Sequence, residues 1–125
     1  MNKLKKISLV VLIAGYFMAG INHFRSPASY IKIIPPYFPY PRFINLIAGF
    51  CEIGFALLFI FPKTRLFAAR GIILMLLAFL PVHVKMVQDA PFLLGNITIT
   101  PLIAWIRLIV LQPLLILWAW WGGVG

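Results

Sequence analysis

The stretch Phe43-Ile44-Asn45-Leu46-Ile47-Ala48-Gly49-Phe50-Cys51-Glu52-Ile53-Gly54-Phe55-Ala56-Leu57-Leu58-Phe59-Ile60-Phe61 decides the fold class. Its 19 residues contain one carboxylate and no base. The apolar character is continuous rather than alternating, which favours a helix over a membrane strand. Its length is close to the ~20 residues that a bilayer-spanning helix needs. Three runs of the same kind accompany it: Ile7 to Phe24, Leu66 to about Val87, and Pro101 to Trp121. The expectation is one domain, residues 1–125, with helices over about 5–24, 43–61, 66–87 and 100–121. That is an all-α transmembrane four-helix bundle.

Composition points the same way. Hydrophobic residues make up 63% of the 125 residues and charged residues 10%. A soluble domain carries about 25% charged residues. Mean hydropathy is +1.04. A soluble fold of this size buries only about two-thirds of its unfolded surface, so much of this chain would be left in water. Lipid is therefore the solvent that the sequence implies.

Lys and Arg number 11, against 2 Asp and Glu. The bases form no extended face outside the apolar runs, so the sequence reads as no nucleic-acid binder. They mark helix ends, where they set topology and meet anionic headgroups. With the N-terminus inside, Lys3, Lys5, Lys6, Lys63, Arg65 and Arg70 lie on the inner side, and Arg25, Lys32, Arg42 and Lys85 on the outer. This bias predicts an integral, multi-pass protein of a plasma or inner membrane with both termini cytoplasmic. A basic start before an apolar run also describes a signal peptide. Here the run is long, and Asn22-His23-Phe24-Arg25 offers no small-residue cleavage site, so an uncleaved first helix is expected.

The connections differ in character. Residues 25–42 hold five of the ten prolines, and Ser26-Pro27 reads as an N-cap followed by proline at the first helical position. A short interfacial helix over about 27–34 is expected between helices 1 and 2, with Tyr30, Tyr37, Phe38 and Tyr40 at headgroup level. Pro62-Lys63-Thr64-Arg65 is a tight basic turn, and residues 88–100 read as a mostly uncharged loop. Asn96-Ile97-Thr98 is a glycosylation sequon in that loop.

Ionisable groups inside a bilayer are costly and are candidates for function. Glu52 lies ten residues from Arg42, ~15 Å into the second helix at 1.5 Å per residue. Arg107 lies six residues beyond Pro101, ~9 Å deep by the same rise. Similar depth and opposite sign favour a Glu52–Arg107 ion pair inside the bundle; the alternative is that Glu52 faces a cavity with His23 or His83 as a proton donor to a ligand. Asn45, Gly49, Glu52 and Ala56 share one helical stripe, and Gly15 and Ala19 form a small-residue pair with His23 one turn further on. His23 and His83 both fall toward the outer side. Asn22, His23, Glu52, His83 and Arg107 are therefore the candidate ligand-pocket residues, able to hydrogen-bond the oxygen head of a quinone or another apolar ligand. Their spacing matches no metal motif. Cys51 is the single cysteine, so the chain has no internal disulfide, no redox cysteine pair and no cysteine cluster. No catalytic motif is present.

These residues, in this order, resemble the DoxX-like family of small four-helix membrane proteins. The resemblance runs through Ala19-Gly20-Ile21-Asn22-His23-Phe24 with Pro27, then Pro36-Tyr37-Phe38-Pro39, then Gly49-Phe50-Cys51-Glu52 with Ala56-Leu57-Leu58. Pro62-Lys63-Thr64-Arg65, Ala68-Ala69 and Pro81-Val82-His83-Val84-Lys85-Met86 complete it. It covers roughly residues 7–90. It implies a transmembrane four-helix bundle acting as an accessory or ligand-binding subunit of a quinone-linked redox system. That reading carries no cofactor built into the chain, but a bound quinone or lipid, with a membrane or soluble redox protein or a second copy as partner. Two other classes stand beside it. One is an enzyme or carrier for an apolar small molecule, similar to a four-helix sterol isomerase. The other is a structural or assembly factor without ligand.

Overall fold

The computed structural model describes residues 2–124. Four helical spans are long and apolar enough to cross a membrane: Lys3–Arg25, Pro41–Leu58, Arg65–Asp89 and Pro101–Gly123. The first is α1 (Lys3–Arg25), capped by Asn2, whose side chain accepts from the Lys5 N–H at 2.8 Å. The short helix α2 (Pro27–Ile33) follows, in the place expected of the interfacial segment. Ser26 stands at its N-cap, but its side chain makes no capping bond; Pro27 alone sets the start. The second span is α3 (Pro41–Leu58), entered through Tyr40, which takes the left-handed φ of 51° before Pro41.

The third span is broken. Helix α4 (Arg65–Ala78) gives way at Phe79 to α5 (Leu80–Asp89). Pro81 supplies the cause: it has no N–H, and its ring would clash with the carbonyl four residues back. The fourth span is α6 (Pro101–Ile106) and α7 (Gln112–Gly123), joined by a π-helical segment over Arg107–Leu111. Pro113 explains this in the same way, because an extra residue in the turn relieves the proline's conflict with the preceding carbonyl.

Residues 88–100 are not the loop that hydropathy suggests. Helix α5 runs to Asp89, and a hairpin follows, β1 (Phe92–Leu94) against β2 (Ile97–Ile99), with Phe92 opposite Ile99 and Leu94 opposite Ile97. Gly95 at its tip takes φ 61°, as a two-residue hairpin turn demands. The sequon residue Asn96 is exposed at this tip.

Two apolar centres divide the bundle. Leu9, Leu12, Phe59, Ala68, Ala69, Ile72, Leu76 and Ala119 close the end that carries Lys3, Lys5 and Lys6. There Trp118 Nε1 donates to Ser8 Oγ at 2.7 Å, joining the last span to the first. Val82, Met86, Ile99 and Ala104 form a smaller centre at the other end, under the hairpin. Outward faces carry exposed Phe17, Leu46, Phe50, Leu74, Leu102 and Leu117, as faces that meet lipid do.

The spans α1 and α3 approach most closely at two glycines. A Cβ on Gly20 would lie 2.9 Å from the Gly49 carbonyl oxygen, and one on Gly49 would lie 2.9 Å from the His23 Cβ. The inward face of α1 is thus Leu9, Leu12, Gly20 and His23. The expected Gly15–Ala19 pair is not at this contact: Gly15 has open space beside its Cα.

Candidate functional site

Between the two apolar centres lies a partly open cavity of about 150 Å³. Each span contributes. Helix α1 provides Tyr16 and His23, α3 provides Asn45, Ala48 and Glu52, and the broken third span provides Ile72, Leu76, Phe79 and His83. The π segment provides Arg107, and α2 closes over the cavity with Tyr30 and Ile33.

The polar wall begins at His23, 8% exposed, where α1 and α3 almost touch. Asn45 Nδ2 donates to the His23 carbonyl oxygen at 3.0 Å. A carbonyl only accepts, so the amide orientation follows, and Asn45 Oδ1 faces His23 Nδ1 at 2.7 Å. His23 Nδ1 must therefore donate. Its other nitrogen, Nε2, lies 3.5 Å from Glu52 Oε2. That separation is an ionic contact, and Glu52 Oε2 remains without a hydrogen-bond partner. With Nδ1 donating to Asn45, Nε2 is the ring nitrogen that faces the carboxyl.

Tyr30 stacks on His23, with ring centroids 3.8 Å apart and planes inclined by 25°. Its hydroxyl accepts from Asn22 Nδ2 at 2.8 Å. Burial pushes the Tyr30 phenol above its ordinary pKa; the Asn22 bond opposes this and the Glu52 charge adds to it. Asn22 itself does not line the cavity. It acts through Tyr30, anchoring α2 over the histidine.

The Glu52–Arg107 ion pair is not formed: no Glu52 oxygen lies within 4.0 Å of the guanidinium, and among the described residues the partner of Glu52 is His23. Arg107 Nη1 instead donates to Gln112 Oε1 at 2.5 Å, and Gln112 Nε2 donates to the Leu76 carbonyl beside the break in the third span. The physical reason lies in the π segment. It sets Arg107 and Gln112, five residues apart, on one face, so a neutral amide satisfies the guanidinium locally. Gln112 is 2% exposed and was not signalled by any charge or motif. A buried amide one residue before a proline in an otherwise apolar run was the available clue.

Four of the five candidate residues, His23, Glu52, His83 and Arg107, share the cavity wall. Tyr16, Asn45 and Tyr30 join them without having been singled out for it. Tyr16 Oη, Glu52 Oε2 and His83 Nδ1 are buried there without hydrogen-bond partners. Among the described residues no three His, Cys, Asp or Glu side chains converge as a metal site. Arg107 can only donate, the Glu52 carboxylate oxygen accepts, and the Tyr16 hydroxyl can do either.

No curated protein and no solved structure matches the chain. The family model described as a domain of unknown function, DUF8561, matches residues 12–122, a span that includes every residue of the cavity wall, and the chain belongs to that family.

Proposed function

We propose that this chain is an integral membrane protein that holds the head of a quinone-type ligand in the cavity, as an accessory subunit of a membrane redox system. The observation that carries the reading is the set of three buried, unpartnered polar atoms, Tyr16 Oη, Glu52 Oε2 and His83 Nδ1, at one apolar cavity. A buried polar atom without a partner costs about 1–3 kcal/mol. A quinone head would remove that cost: its oxygens accept from Tyr16 or Arg107, and the hydroxyls of its reduced form donate to Glu52 Oε2 or His83 Nδ1.

Size discriminates among ligands. A cavity of about 150 Å³ is comparable to the engineered one that takes a single benzene. One six-membered ring fits. The four fused rings of a sterol exceed it, which sets the isomerase-like reading behind the quinone reading. The cavity is partly open, which leaves room for an apolar tail to extend beyond it. The resemblance to DoxX-like proteins supports the same assignment, and the basic bias of one end of the bundle supports cytoplasmic termini.

The test is purification in mild detergent followed by mass spectrometry of the extracted lipids. The expected result is a quinone near one per chain, lost in Glu52→Gln while the protein keeps its fold by circular dichroism. Phospholipid alone, in protein taken from membranes that contain quinone, overturns the proposal in favour of a structural factor.

A further inference from the structure

A second apolar recess lies on the outside of the bundle and shares no residue with the cavity. It is an open groove of about 680 Å³, lined by Leu9, Val10, Ile13, Ala14 and Phe17 of α1, and by Ile60. Lys6 and Arg65 stand with them. The α1 residues fall on one helical face, and Lys6 to Phe17 spans ~16 Å at 1.5 Å per residue, about half of a ~30 Å hydrocarbon core. The groove therefore has the reach of one leaflet and carries its cations at one end.

Among the described residues no carboxylate pairs with either cation: Glu52 faces His23, and Asp89 pairs with Lys85. Arg65 donates through Nε to the Phe59 carbonyl at 2.7 Å and through Nη2 to the Ile60 carbonyl at 3.1 Å. These two bonds hold the guanidinium at the groove end and leave three of its five N–H groups for another acceptor. Lys6 is exposed beside it.

We propose that this groove is a binding site for one anionic phospholipid, with its phosphate between Lys6 and Arg65 and one acyl chain along Leu9, Ile13 and Phe17. A phosphate meets the forked guanidinium and the ammonium together. A zwitterionic lipid offers the same phosphate but adds a cation to a place already positive. Each basic residue near a membrane surface favours an anionic lipid about fivefold.

The test is native mass spectrometry of the purified protein with equimolar phosphatidylglycerol and phosphatidylcholine. The expected result is one tightly retained phosphatidylglycerol. Lys6→Gln should reduce its retention about fivefold, and Ala14→Leu, which fills the groove without touching a charge, should reduce it as well. Lys3→Gln removes the same charge outside the groove and should change it far less. Equal losses in Lys3→Gln and Lys6→Gln would mean diffuse attraction and overturn the site, as would full retention in Ala14→Leu. A dimer that Ala14→Leu converts to monomer, with lipid retention unchanged, would assign the groove to a second copy instead.

Discussion

His23 Nε2 stands 3.5 Å from Glu52 Oε2, and the histidine's other nitrogen is held by Asn45 Oδ1 at 2.7 Å. The amide fixes the ring so that its second nitrogen faces the carboxyl. The pair stands in a cavity whose wall also carries Tyr16, His83 and Arg107.

The pairing can be read by double-mutant cycles. His23→Gln and Glu52→Gln should be strongly non-additive, with a coupling of about 0.5–3 kcal/mol, as expected of residues in contact. Glu52→Gln with Arg107→Gln should show a smaller coupling, because the two side chains do not meet. Unfolding in mixed micelles measures both. A larger coupling for Glu52 with Arg107 would restore the ion pair that depth and charge suggest.

Gln112 carries two partners, Arg107 and the Leu76 carbonyl. Gln112→Leu preserves volume approximately and leaves both groups unsatisfied. A loss of about 1–3 kcal/mol for each is expected. Unchanged stability in the same unfolding assay would mean that lipid or water replaces the amide.

The two glycines of α1 should behave oppositely. Gly20→Ala drives a Cβ to 2.9 Å from the Gly49 carbonyl oxygen and the Ile53 nitrogen, where backbone must give way. The cost should be about 1–3 kcal/mol, typical of overpacking. Gly15→Ala meets nothing within 4 Å and should be neutral or stabilising, since alanine is the better helix former by about 1 kcal/mol. Thermal unfolding of the two variants side by side decides it; equal losses would argue against the close approach at Gly20.

Orientation is tested at the C-terminus. A fused reporter active only outside the cytoplasm should stay silent, given the excess of Lys and Arg at the end where α1 begins and α7 finishes. Strong activity would reverse the proposed topology.

The spans were legible from sequence because hydropathy and length are local properties. So was the inward stripe of α3, where Asn45, Gly49, Glu52 and Ala56 break an otherwise large and apolar pattern. The hairpin reads as a loop in the sequence: two strands of three residues around Gly95-Asn96 are too short to outweigh the absence of a long apolar run. The inward face of α1 was not legible either. In lipid the outer face of a helix is as apolar as the inner one, so side-chain polarity does not tell Gly15 from Gly20. Tertiary structure decided that choice through the close approach at Gly20 and Gly49, and this approach brings His23 to Glu52. It also decided the partner of Arg107. Depth and sign favour a carboxylate across the bundle, but hydrogen-bond geometry is set by the local backbone, and a π turn before Pro113 places Gln112 within reach first.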